Sequence, residues 1–208
     1  MMLLRFLLSL LTLWWAGLVV LASLNGIMKV RFKTLEALAF SWMAGMGIVS
    51  LQMFFYAVIG IRFNIPSLSC PWALLLIIFF STGPLRQSIL NFGVSDAPPA
   101  KESFLRSFNP ILLIPAFQII TAFICASATP ISGWDAWSIW FLKSRVFFLN
   151  QGIPQSFMGL SVNPHPDYPL LIPLCGTWIY TFLGEPNDTL VKIIYPAQYF
   201  SLILIFYY

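Results

Sequence analysis

Acidic, basic and histidine side chains occur together in one loop of this 208-residue chain, between two apolar runs. The segment GWDAWSIWFLKSR carries Asp135, Lys143 and Arg145, and the segment NPHPDYP carries His165 and Asp167. A carboxylate can act as a general base toward a hydroxyl group, and a nearby cation can neutralise a phosphate leaving group. Because ionisable groups at a membrane edge cost free energy, their concentration here predicts a working site.

The three charged residues of the first segment predict different roles. Asp135 precedes a helical pattern, where a carboxylate either caps free amides or acts as a general base. Lys143, eight residues later, is expected to point roughly the same way and to contact a phosphate group of the substrate. Arg145 lies on a different face of this predicted helix from Lys143 and is predicted to contact either substrate phosphate or lipid head groups.

In the second segment, prolines on three sides of His165 and Asp167 predict an extended, rigid conformation. His165 is the only histidine of the chain, and with scattered acids it lacks the spacing of a metal site. Contact with a substrate phosphate or hydroxyl group is therefore predicted; no cofactor is predicted, and a divalent metal stays an alternative that the ligand spacing does not support. Trp134 and Tyr168 complete the predicted substrate-binding set, although Tyr168 alone is most simply an interface anchor.

The composition predicts an integral membrane protein. Hydrophobic residues make up 59% of the chain and charged residues 9%, whereas soluble domains average about 45–50% and about 25%. A soluble fold of this size could not bury so much apolar surface. The net charge of +4 comes from basic residues spread thinly beside the apolar runs. They are typical of topology signals, so no nucleic-acid partner is predicted.

Six apolar runs predict an all-α fold of about six transmembrane helices. They cover residues 3–24, 35–61, 71–90, 110–129, 168–183 and 190–208. A signal peptide is the alternative for the first run, but its length and Trp14 favour a retained helix. The basic patch at residues 29–33 is placed in the cytoplasm by the positive-inside rule. Alternation of the spans then places the loop of residues 131–168 outside.

Two further patterns predict how helices pack. Aromatic residues recur at spacings of three and four over residues 134–149, which predicts an amphipathic helix lying in the membrane interface. The alternative is a helix that only braces the bundle. In the second apolar run, the small residues Ala44, Gly45 and Gly47 predict close contact with a neighbouring helix.

The pairing of GWDAWSIWFLKSRVFF with HPDYPLLIPL, which leads into a span, resembles the bacterial GT-C membrane glycosyltransferases. This group includes the protein O-mannosyltransferases and the aminoarabinose transferase of lipid A. The resemblance covers residues 110–208 best, as the start of a catalytic core, and residues 1–109 resemble a three-span N-terminal extension. Many members have two adjacent acids at this motif, whereas Ala136 follows Asp135 here.

The resemblance implies an enzyme of the bacterial inner membrane that takes a sugar from a polyprenyl-phosphate donor. The sugar passes, with inversion, to an acceptor outside the cytoplasm, and Asp135 is the implied base. Members typically have more spans, and the last apolar run reaches Tyr208, so a chain that continues further is expected.

Two other functions fit the residues. A non-catalytic membrane module would use the aromatic and basic side chains to bind lipid phosphate or a partner subunit. A transporter of lipid-linked sugars would need charged residues deep within its spans, and the apolar runs carry almost none.

Overall fold

The computed structural model describes residues 1–28, 32, 34–81, 83, 87, 110–155, 165 and 167–207. Within these ranges the chain is helical and contains no β-strand, which confirms the all-α fold class. The α-helices of the described part are α1 (Met2–Met28), α2 (Thr34–Ile59), α3 (Ile65–Ser81), α4 (Leu113–Ala128), α5 (Phe141–Asn150), α6 (Leu171–Leu183) and α7 (Ile194–Tyr207). Two 3₁₀ turns at Pro110–Leu112 and Leu190–Ile193 and a π turn at Ala136–Trp140 adjoin them.

Three segments of the described chain are long and apolar enough to cross a membrane: Met2–Asn25, Thr34–Ile59 and Pro110–Ala128. They correspond to the first, second and fourth of the predicted spans. The other apolar helices are shorter than the roughly 20 residues that a perpendicular crossing needs: Ile65–Phe79, Leu171–Leu183 and Leu190–Phe206. The structure therefore supports three spans by length, and six spans stay a prediction.

Helix α3 begins earlier than the apolar run predicted, at Ile65 rather than near residue 71. The reason is a local cap, because the side-chain oxygen of Asn64 accepts a hydrogen bond from the Ser67 amide at 2.9 Å. Pro71 consequently lies inside the helix rather than at its start. Of the predicted run, residues 84–86 and 88–90 lie outside the described part of the chain.

Helices α1 and α2 pack closely at two glycines. A Cβ atom on Gly17 would stand 1.7 Å from the carbonyl oxygen of Ser41, and one on Gly45 would stand 1.9 Å from that of Leu13. No larger residue fits while the two backbones stay this close. The predicted packing role is confirmed for Gly45, whereas a Cβ on Gly47 would meet no atom within 4 Å.

Helix α6 forms the centre of the bundle, and every residue from Pro173 to Leu183 is buried. Its Trp178 indole donates a hydrogen bond to the Ser9 carbonyl of α1 at 3.1 Å. On the α2 side, Cys175 Sγ lies 3.3 Å from Ser50 Oγ. A helix of 13 residues is only about 20 Å long. Other parts of the protein cover its residues from Pro173 onward, and it supports the elements around it.

Candidate functional site

The first part of the site is the π turn and the residues just before it. Asp135 and Trp134 are exposed, and the rings of Trp134 and Trp137 lie 6.2 Å apart at 45°. The Asp135 carboxylate makes no capping hydrogen bond to the turn that follows. The capping alternative is therefore not what the structure contains, and the carboxylate is left at the surface. One-turn π segments within helices are frequent at functional sites.

The predicted helix over residues 134–149 is present but irregular. A π turn occupies Ala136–Trp140 before the regular helix α5 begins. The turn adds a residue to the helical repeat and so changes which side chains face inward. Lys143, expected on the polar side, is buried and only 1% exposed. The helix ends at Gln151, whose φ of 49° places it in the left-handed region.

Helix α5 is held directly against α6. The Ser144 hydroxyl donates to the Pro173 carbonyl at 2.9 Å, and the Thr177 hydroxyl donates to the Ser144 carbonyl at 3.2 Å. A Cβ atom on Gly176 would stand 2.4 Å from Ser144 Oγ. These contacts attach the helix that carries Lys143 to the most buried helix of the described chain.

Lys143 connects the two sequence segments that carry the candidate residues. Its Nζ atom donates a hydrogen bond of 2.5 Å to the backbone carbonyl of His165 and lies 5.8 Å from the centre of the Tyr168 ring. Burial lowers the pKa of the Lys143 ammonium below its ordinary value because it penalises the charged form. The negative charge of Asp167 opposes this shift.

The described residues of the second segment form a turn, whereas an extended, rigid conformation was predicted. His165 has a φ of 59°, and the Tyr168 amide donates to the His165 carbonyl at 3.2 Å. The turn closes because this carbonyl accepts hydrogen bonds from two donors, the Tyr168 amide and Lys143. Residues 156–164 and 166, which include two of the flanking prolines, lie outside the described part of the chain.

Three rings stack along this turn. The imidazole of His165 lies on the ring of Tyr168 with 4.4 Å between centroids and 18° between planes. The other neighbour of Tyr168 is Trp140, at 5.6 Å. His165 and Asp167 are exposed, whereas Tyr168 is half-buried between the two rings. The turn therefore presents an imidazole and a carboxylate outward from an aromatic support.

Arg145 faces away from this turn. Its guanidinium forms an ion pair with Asp188, and the Tyr180 hydroxyl donates to the second carboxylate oxygen of Asp188 at 3.3 Å. The hydrogen bond to Asp188 raises the pKa of Arg145. Asp188 was not among the predicted residues, and its only signal in the sequence is a carboxylate in a short turn between two apolar runs.

An apolar cavity of about 340 Å³ lies beside the site, between α2, α6 and α7. It is lined by Met43, Met46, Leu171, Ile172, Ile194, Tyr195 and Gln198. Leu171 follows the His165–Tyr168 turn along the chain, and the Tyr195 ring packs edge-on against Phe141 of α5 at 6.2 Å. Residues that line the cavity therefore adjoin the turn and the helix α5 that carry the site.

The structure therefore brings together Trp140, Lys143, His165, Asp167 and Tyr168, with Trp134 and Asp135 on the preceding turn and Arg145 turned toward Asp188. No protein family, curated protein or solved structure matches this chain. Among the residues that the structure describes, no group of three or more His, Cys, Asp or Glu side chains is placed to hold a metal ion. The groups with which this site can act are its exposed carboxylates, its imidazole and its aromatic rings.

Proposed function

We propose that this chain contributes to a membrane glycosyltransferase that passes a sugar from a polyprenyl-phosphate donor to an acceptor outside the cytoplasm. One observation carries the proposal: the two segments that resemble GT-C enzymes meet in space. Lys143 Nζ contacts the His165 carbonyl, and Trp140 contacts Tyr168. At the start of the same helical segment, the Asp135 carboxylate is exposed and makes no capping hydrogen bond.

In the proposed reaction, Asp135 takes the proton of an acceptor hydroxyl group. The acceptor oxygen attacks the anomeric carbon of the sugar from the face opposite the phosphate. The bond between that carbon and the phosphate oxygen breaks, and polyprenyl phosphate leaves with the electron pair. General-base catalysis of this kind typically contributes about a hundredfold to ten-thousandfold in rate. No metal or other cofactor takes part in the proposed reaction.

The remaining predicted residues have supporting roles in this scheme. His165 and Asp167 are exposed at the turn and are suited to hydrogen bonds with sugar hydroxyl groups or phosphate oxygens. Lys143 supports the turn through the His165 carbonyl, whereas Arg145, also predicted to contact phosphate, pairs with Asp188. The apolar cavity of about 340 Å³ beside the turn is suited to the first part of a prenyl chain.

The proposed topology places residues 131–168 on the outer face of the bacterial inner membrane, with six spans in total. The exposed residues Trp134 and Trp137 support an interfacial position for this segment. They follow soon after Ala128, where the last of the three candidate spans ends. Tryptophan is enriched at both membrane interfaces because its ring is apolar and its N–H is polar.

A second function, a non-catalytic module that binds lipid phosphate or a partner subunit, is favoured by a different observation. Helix α4 buries none of its residues within the described chain, so an apolar helix remains open to another subunit or to lipid. The basic residues Lys143 and Arg145 both make contacts within the chain. In this function the aromatic residues, rather than Asp135, would be sensitive to substitution.

Replacement of Asp135 by Asn separates the two functions. The glycosyltransferase proposal predicts loss of sugar transfer from radiolabelled polyprenyl-phosphate sugars with normal expression of the membrane protein. Glu185→Gln is the matched control, because Glu185 is another exposed acid but lies in the turn after α6. Full transfer by Asp135→Asn would contradict the assignment of Asp135 as the base, whereas no transfer by the full-length wild-type protein from hexose or pentose donors would favour the binding module.

A further inference from the structure

Lys143 is placed unfavourably for a charged side chain. It is only 1% exposed, between Leu142 and Ser144 on a helix packed against the core. Lysine is almost never fully buried unless its ammonium is paired or hydrogen-bonded, because removing the charge from water costs free energy. An apolar side chain at this position would avoid that cost, so the structure must gain something from the charge.

The Lys143 ammonium donates a hydrogen bond to the backbone carbonyl of His165. His165 adopts a left-handed conformation with φ of 59°, which is uncommon for residues other than glycine. Its carbonyl accepts from both Lys143 Nζ and the Tyr168 amide. Hydrogen bonds from charged donors are stronger than those between neutral groups. The hydrogen bond from Lys143 therefore stabilises a turn that the positive φ of His165 would otherwise disfavour.

The turn determines the direction of the exposed groups. With the carbonyl of His165 directed at Lys143 and Tyr168 packed on Trp140, the imidazole of His165 and the carboxylate of Asp167 remain exposed. We infer that Lys143 is a positioning residue that holds the His165–Tyr168 turn by its backbone, so that His165 and Asp167 face the substrate. The role of the turn in substrate contact rests on the proposed transferase function, whereas the contact itself does not.

A positioning role and a merely structural role differ in what Lys143→Met does. Lys143→Met removes the free-energy cost of burying an ammonium group, and the His165 carbonyl keeps the Tyr168 amide as a hydrogen-bond donor. We therefore expect the thermal midpoint of Lys143→Met to be unchanged or higher than that of the wild type, while the turn opens more often. A lysine kept for overall stability would instead lower the midpoint when it is replaced.

The test is hydrogen exchange at the Tyr168 amide, measured by mass spectrometry with fragmentation on the full chain in lipid nanodiscs. We expect exchange to be about ten- to a hundredfold faster in Lys143→Met, as loss of a hydrogen bond to a charged donor implies. Lys143→Arg, which keeps a charged donor, should recover at least part of the protection. Arg145→Met is the control, because Arg145 pairs with Asp188 on the other side of the helix.

If the Tyr168 amide exchanges at the same rate in Lys143→Met as in the wild type, the inference is overturned. It is also overturned if the thermal midpoint of Lys143→Met falls far enough for the loss of overall stability to account for the faster exchange. Loss of protection in Arg145→Met would also overturn it, because the effect would then be a general loosening of the helix. Faster exchange in Lys143→Met supports the positioning role even if Asp135→Asn retains full transfer. In that case only the assignment of Asp135 as the base fails.

Discussion

Gly176 lies against Ser144, so that a Cβ atom at position 176 would stand 2.4 Å from the Ser144 hydroxyl oxygen. The same hydroxyl donates to the Pro173 carbonyl at 2.9 Å, one turn earlier on α6. The close approach lets a short polar side chain join two helices without an intervening layer of side chains. It fixes the distance between the core helix and the helix that carries Lys143.

Gly176→Ala is expected to lower the free energy of unfolding by about 1–3 kcal/mol, as overpacking of a filled core does. The added methyl group must displace Ser144, whose hydroxyl is already engaged. Thermal unfolding in detergent, followed by circular dichroism, measures the loss. Gly47→Ala is the matched helical control, because a Cβ there meets no atom within 4 Å. Equal stability of the two variants would contradict the close packing of α5 on α6.

The ion pair of Arg145 with Asp188 is expected to contribute modestly to stability. Both side chains are partly exposed, at 37% and 23%, and solvent weakens such pairs to roughly 1 kcal/mol or less. A double-mutant cycle with Arg145→Met and Asp188→Asn should give a coupling energy of this size that falls with added salt. A coupling of zero at low salt would show that the pair does not hold α5 to the turn after α6.

The lowered pKa of Lys143 has a defined effect on the pH dependence of stability. Between this lowered pKa and the ordinary value of 10.5, the unfolded chain binds more protons at this residue than the folded chain does. The contribution of Lys143 to the free energy of unfolding therefore rises with pH in that window. Asp167, the carboxylate near Lys143, reduces the size of the effect.

The measurement is the difference in unfolding midpoint between wild type and Lys143→Met, taken from neutral pH to about 10.5. We expect the unfolding midpoint of the wild type to rise relative to that of Lys143→Met as the pH rises from the lowered pKa of Lys143 to about 10.5. Subtracting the variant removes the contributions of other groups, such as Tyr180 and Lys192. If the midpoint difference between the two proteins stays constant, or if the midpoint of Lys143→Met rises relative to that of the wild type, burial does not disfavour the charged lysine.

Much of the architecture follows from composition and spacing. Long apolar runs predict helices because neither lipid nor an apolar core can hydrogen-bond to the backbone, so the segment must pair its own N–H and C=O groups, and the described chain is all-helical. Gly45 was predicted as a close-packing position, and its Cβ site is filled by the Leu13 carbonyl of α1. The local sequence indicates which residues are small enough for such a contact, but it does not select among them, because Gly47 was predicted on the same pattern and a Cβ there meets no atom within 4 Å.

The site was only partly predictable. Asp135, Lys143, His165, Asp167 and Tyr168 were predicted as a group, and the structure places the last four around one turn. The burial of Lys143 was not foreseen, because it depends on a π turn that hydrophobic periodicity does not reveal. A charged residue was expected on the polar side of a regular helix.

Long-range pairing accounts for the other differences. Asp188 is the partner of Arg145 across 43 positions of the chain, and only the packing of α5 on α6 brings the two together. Helix α6 is predicted to be a membrane span from its composition; in the structure it has 13 residues, and those from Pro173 to Leu183 are buried within the protein. Hydropathy does not distinguish burial in protein from burial in lipid, since both environments favour the same side chains.

The most direct test of the proposed function is the rate of sugar transfer by Asp135→Asn compared with Glu185→Gln. With radiolabelled polyprenyl-phosphate sugars and full-length chain in membranes, a general base at Asp135 predicts a kcat at least about a hundredfold lower. KM should change little, because the amide keeps the size of the carboxylate, and Glu185→Gln should match the wild type. A kcat for Asp135→Asn within a few-fold of the control would contradict the assignment of Asp135 as the base.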